Sequence, residues 1–148
     1  MTTATEVQTT QVYNIVIKAK PEAIWEAITK PEFTERYFHG ARITVVRDHY
    51  SSLGPEGEVW GDEGVYEYDP PRKLVHGWRF RYSPELADED ESRVTWEIDR
   101  QDDGTCLLTV VHDRLEGAPK TAASVAGVGW MSVLSGLKTL LETGEPLA

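Results

Sequence analysis

Cysteine is nearly absent from this 148-residue chain, Cys106 being the single one. One thiol excludes an intramolecular disulfide framework and any metal motif built on cysteine pairs. Its neighbours Leu107 and Leu108 mark it as a small buried side chain rather than a reactive thiol. Long apolar runs are missing as well. A transmembrane helix needs about eighteen or more consecutive apolar residues, and no such stretch exists. Met1–Thr10 is polar and lacks the basic-then-apolar order of a secretory signal, so a cytoplasmic protein off the membrane is expected. Positive charge is in short supply too: 15 Lys and Arg against 25 Asp and Glu give a formal net charge of −10. That field repels phosphate backbones and the basic residues are scattered, so nucleic acid is not an expected partner.

Chemical signatures are equally sparse. Gly127-Val128-Gly129 has no strand before it and is no dinucleotide fingerprint, and no phosphate-cradling glycine loop is present. Ser51, Ser52, Ser124, Ser132 and Ser135 lack the setting of a nucleophile elbow. No catalytic constellation, metal site or cofactor is predicted.

What is present is strand alternation followed by one helical period. Residues 1–10 read as a frayed terminus and 11–145 as a single domain. Tyr13, Ile15, Ile17 and Ala19 alternate as a first strand. Pro21 and Pro31 then open two short helices, suiting a first turn where a missing N–H costs nothing. Ala41–Arg47 reads as a strand, Ser51–Gly57 as turn-rich, and Glu58–Trp60 and Gly64–Tyr68 as two short strands before Asp69-Pro70-Pro71. Lys73–Ser83 reads as the clearest strand, with Leu74, His76, Trp78, Phe80 and Tyr82 on one face. Glu85–Glu91 is an acidic loop, solvated or a lid. Val94, Trp96 and Ile98 share a face of the next strand. The hairpin turn Asp102-Asp103-Gly104 leads to Leu108, Val110 and His112. Ala118–Glu142 is helical, with Val128, Met131, Leu134, Leu137, Leu140 and Leu141 at three- and four-residue steps. The expected class is α+β: a curved antiparallel sheet wrapped around a long C-terminal helix, with two short helices after the first strand.

Four ordered stretches carry a family resemblance. They are Ile17-Lys18-Ala19-Lys20-Pro21-Glu22-Ala23-Ile24-Trp25 with Pro31-Glu32; Asp69-Pro70-Pro71-Arg72-Lys73-Leu74-Val75 before Trp78; Leu108-Thr109-Val110-Val111-His112-Asp113; and Gly129-Trp130 through Leu140-Leu141-Glu142-Thr143-Gly144. Together they resemble the SRPBCC (START-like) superfamily, and within it the bacterial branch related to the activator of the Hsp90 ATPase, over about Val12 to Gly144. The resemblance implies a helix-grip fold with an apolar cavity between sheet and C-terminal helix. The separate chaperone-binding domain of the eukaryotic activators is expected to be absent.

The residues taken to line that cavity are Tyr66, Trp78, Phe80, Trp96, Val110, His112 and Trp130, with Tyr68 and Tyr82 extending the same face by alternation. Gly127 and Gly129 each cost about 1 kcal/mol in a helix relative to alanine, which marks close packing or a bend near Trp130. Val94 is expected opposite His112, and pairing Phe80 with Trp96 puts His76 opposite Arg100. The two histidines then lie on the order of 20 Å apart, too far to form a dyad or share a metal. The leading reading is therefore a binding module for an apolar or aromatic small molecule. A chaperone partnership follows from the resemblance, a homodimer is a base-rate expectation, and a cyclase or dehydratase using His112 with a cavity tyrosine is the third reading.

Overall fold

The described residues form seven strands: β1 (Gln11–Ile17), β2 (Arg42–Val46), β3 (His49–Leu53), β4 (Val59–Asp69), β5 (Lys73–Trp78), β6 (Ser92–Arg100) and β7 (Cys106–Asp113), with burial alternating most clearly in β2 and β7. The computed structural model describes residues 8–147, so most of the terminus expected to fray lies outside the described residues. All six pairings are antiparallel in the order β1-β7-β6-β5-β4-β3-β2. The first two strands thus form opposite edges of one sheet. Helices α1 (Pro21–Thr29) and α2 (Pro31–Thr34) carry the chain between those edges, each with proline in its first turn.

Four departures from the sequence expectation have physical causes. His49–Leu53, within the stretch read partly as a turn, is a strand, because Arg47-Asp48 makes a tight hairpin after β2. The two short strands expected around Gly61 are one long strand. Glycine at 61 lets β4 pass beneath the Tyr50 ring, which lies 3.3 Å from where a Cβ would stand. Conversely, β5 stops at Trp78 and leaves Phe80 and Tyr82 in irregular backbone, tied to the sheet by the Arg81 N–H donating to the Trp60 carbonyl at 3.0 Å. The acidic segment contains a short helix, α3 (Pro84–Ala87), and is fastened down. The Glu89 carboxylate accepts from the Lys120 and Thr121 amides and the Thr121 hydroxyl at 2.7–2.9 Å.

The C-terminal helical region divides into α4 (Pro119–Val125) and α5 (Val128–Thr143), bent by 43° at Ala126-Gly127. Gly127 has φ +59°, a left-handed conformation open to glycine and costly for most side chains. Among the described residues, no single helix is long and apolar enough to cross a membrane. α5 turns Trp130, Val133, Leu134, Leu137 and Leu140 onto the concave face of the sheet. α1 closes one end of this core with Ile24, Trp25, Ala27 and Ile28.

The turn after α2 sets Phe38 and is held by one buried hydroxyl. Thr34 Oγ1 donates to the Ala41 carbonyl and accepts from the Ile43 amide, both at 2.9 Å. Thr34→Val keeps the shape and orphans both backbone groups, so unfolding in urea should show a loss of roughly 2–4 kcal/mol. Thr34→Ser keeps both bonds and should lose about 1 kcal/mol.

Candidate functional site

β5, β6 and β7 present a cross-sheet row of residues to the concave face: His76 opposite Val94, and Val94 opposite His112. The β6–β7 half of that row is the register expected from the hairpin. The β5–β6 half is not, because Leu74 rather than Phe80 pairs with Trp96. The intervening connection runs from Arg79 to Glu91, far too long for a turn to dictate register. Instead of lying about 20 Å apart, the histidines are separated by two strand spacings, about 10 Å.

Both imidazoles are fully buried, and each accepts an indole N–H. Trp96 Nε1 donates to His76 Nε2 at 3.0 Å, and Trp130 Nε1 donates to His112 Nδ1 at 3.1 Å. Accepting at one nitrogen assigns the proton to the other. His76 Nδ1–H therefore donates to the Gly77 carbonyl at 2.7 Å, and His112 Nε2–H donates to Ser92 Oγ at 2.8 Å. The Ser92 hydroxyl passes its own proton to the Trp78 carbonyl at 3.2 Å. Burial disfavours the imidazolium form, lowering His76 to about 4 and His112 to about 3.

Trp130 is the hub where α5 meets the sheet. Its ring lies 5.5 Å from Trp96, 5.7 Å from Trp78 and 6.1 Å from Phe38, centroid to centroid. From Trp78 an edge-to-face chain continues outward through Phe80 and Tyr82, each step 5.4 Å. Two pockets flank this chain. One, of about 270 Å³, lies towards the outer strands against Tyr50, Ser52, Trp60 and Arg79. The other, of about 170 Å³, lies towards the helices against Ser124, Val125, Gly129, Trp130 and Val133. Phe38, His39, Trp78, Phe80 and Tyr82 belong to the walls of both.

The seven candidates named from sequence therefore separate into three groups. Trp78, Phe80 and Trp130 reach a pocket wall. Trp96, Val110 and His112 are buried beneath those walls, at most 3% exposed, and touch neither pocket. Tyr66 is on the other side of the sheet, 60% exposed. A bulge between Val65 and Glu67 breaks the alternation that assigned it inward. There its hydroxyl donates to Glu91 at 2.6 Å, an interaction that helps push its pKa up to about 12. Tyr68 also leaves the site and packs on Trp25 at 5.4 Å. Sequence reasoning missed Phe38, His39, Tyr50, Trp60 and Arg79. The polar pair Arg47-Asp48 between two apolar runs was the available signal for Tyr50.

Neutral buried histidines couple stability to pH. In the unfolded chain each takes up a proton near pH 6.5, whereas in the fold each resists until about pH 4 or 3. The unfolded state therefore binds more protons below 6.5. Stability is full above that pH and falls as acid is added, by roughly 1.4 kcal/mol per pH unit for each histidine. Urea midpoints should drop between pH 7 and pH 5, and His112→Gln should reduce that slope by about half. Midpoints equal at the two pH values would contradict the neutral assignment.

Comparison with known proteins agrees with this architecture. The family described as "Activator of Hsp90 ATPase homolog 1-like protein" matches residues 18–142. A search of curated proteins finds no match. Among solved structures, protein MLL2253 from Mesorhizobium loti is 24% identical, with a TM-score of 0.72 over 90% of this chain and 96% of that one. DynU16, from the dynemicin biosynthetic locus, is 20% identical with a TM-score of 0.72, over 94% of this chain and 49% of that one. PFC0360w, an Hsp90 activator from Plasmodium falciparum, is 19% identical with a TM-score of 0.71, over 94% and 99%. At such identities the likeness shows a shared fold. The sequence match over most of the chain, with the helix-grip arrangement of sheet and α5, places this protein in the family of Activator of Hsp90 ATPase homolog 1-like proteins.

Proposed function

We propose that the chain binds an apolar or aromatic small molecule in the two pockets flanking Phe80. The observation that carries this reading is the wall they share: Phe38, Trp78, Phe80 and Tyr82 present ring surface to both sides. A packed core would close over such rings. Here the strand ends at Trp78, and Phe38, Phe80 and Tyr82 stand in irregular backbone around open volume. Apolar concavities with few polar groups are the usual form of a small-molecule site. A two-ring aromatic burying about 250 Å² gains roughly 6 kcal/mol at 25 cal/mol per Å². After the cost of association, that corresponds to a micromolar-to-millimolar complex.

His112 lends no support to proton-transfer chemistry on such a ligand. Both its nitrogens are engaged, its ring is absent from both pocket walls, and burial keeps it neutral. The family match favours a second reading, partnership with an Hsp90-type chaperone, which one structural neighbour is described as activating. Purified chaperone from the host decides it: unchanged ATP turnover on adding this protein removes the reading.

For the binding reading, tryptophan fluorescence titrated with 2-naphthalenemethanol should change saturably with one site per chain. Phe80→Ala should weaken that binding by about tenfold, since Phe80 separates and lines both pockets. Absence of saturable binding across a panel of neutral aromatic compounds up to millimolar concentration would defeat the reading.

A further inference from the structure

Three tryptophans meet at the centre of the site, and the histidines supply acceptors for two. Trp96 and Trp130 are satisfied by His76 and His112. The third, Trp78, is 8% exposed, and its Nε1 is buried with no acceptor among the described residues. Arg79 follows it in the chain. In a continuing strand these neighbours would face opposite ways, but β5 ends at Trp78 and both line the larger pocket. Arg79 Nε is also buried without an acceptor, and the guanidinium makes one hydrogen bond, from Nη1 to the Ala87 carbonyl at 3.2 Å.

Arg36, Arg47, Arg100 and Arg114 are exposed and make no ion pair among the described residues, whereas Arg79 is half-buried. Arg42, Arg72, Arg81 and Arg93 each pair with a carboxylate. Arg79 has none within 4.0 Å among the described residues. No Asp or Glu lines this pocket, although the chain as a whole carries a net charge of −10. One cation without a carboxylate and two idle donors thus belong to consecutive residues of a wall that is mostly apolar. Buried donors without acceptors are unfavourable and normally find a partner.

We propose that the ligand is an apolar carboxylic acid, its ring system held by Phe38, Trp60, Phe80 and Tyr82 and its carboxylate accepting from Trp78 Nε1 and Arg79. This assignment rests on the binding reading above and adds the ligand's chemical class. A carboxylate matches the arrangement because it offers two accepting oxygens for donors on two consecutive wall residues, while its single negative charge balances a single guanidinium. A cationic ligand would meet Arg79 with no counter-charge in the wall.

The test compares two probes that share a ring system, 2-naphthoate and 2-naphthalenemethanol, titrated into the full chain at low salt near neutral pH. The acid should bind about tenfold more tightly than the alcohol, an advantage that shrinks as salt is added. Arg79→Gln should bring the ratio of acid to alcohol affinity, both measured on that variant, to about one, while Arg79→Lys should retain part of the preference. Circular dichroism checks that the variants fold, and the wild-type pair of titrations is decisive by itself if they do not. Equal affinity for acid and alcohol in the wild type, or an acid preference that survives in Arg79→Gln, overturns the carboxylate assignment and leaves the binding reading intact. Failure of both probes to bind sinks the two together.

Discussion

Two imidazole rings lie in the middle of the sheet, away from water; burial keeps each neutral, and an indole N–H occupies its accepting nitrogen. An unpaired ring nitrogen at that depth would be unfavourable, as would an unpaired indole N–H; each cancels the other's cost. The geometry this demands is narrow. Trp96 must face β5, and Trp130 must point from the first turns of α5 at the end of β7. One bond couples neighbouring strands and the other couples helix to sheet, so together they fix where α5 sits over the concave face. Trp78 occupies the space between, its ring 5.5 Å from His112 and 5.7 Å from Trp130, and from it the aromatic chain of the pockets extends.

That arrangement explains why the fold was largely legible in the sequence and the site only partly so. Helix spacing in α5, the prolines opening α1 and α2, and the tight turn between β6 and β7 are local signals, and each appears where its residues imply. The pairing of β5 with β6 is not local. A connection holding α3 joins them, and the aromatic residues that invited an alignment of Phe80 with Trp96 serve the pocket instead. Tyr66 shows the same limit on a smaller scale. A single bulge at Val65–Glu67 reverses the direction of its side chain, and nothing in Gly64-Val65-Tyr66-Glu67 announces it. The pocket's outer wall was hidden because it is assembled from Phe38, Tyr50, Trp60 and Tyr82, which four separate segments bring together.

The site therefore combines a rigid floor with a less regular rim. Below are satisfied groups: His76 and His112, the indoles of Trp96 and Trp130, and the Ser92 hydroxyl. Above, beyond the end of β5, the backbone leaves the ladder and is retained by a few side-chain contacts, among them Arg79 with Ala87 and Glu89 with the start of α4. Regular hydrogen bonding gives positional accuracy to the floor, and departure from it leaves volume at the rim. The same backbone exit that opens the pocket also brings Arg79 to its wall.

The pairing of β1 with β7 has a consequence for how the chain is made. Asn14 lies beside Thr109, so the first strand waits for nearly all the others to be synthesised before it has a neighbour. The meander from β2 to β7 can zip up hairpin by hairpin as it emerges, but its concave face has no cover until α5, which follows every strand, is released. High contact order of this kind slows folding and leaves sticky surface exposed during synthesis. A nascent chain of this topology is at greatest risk of aggregating just before its last helix leaves the ribosome.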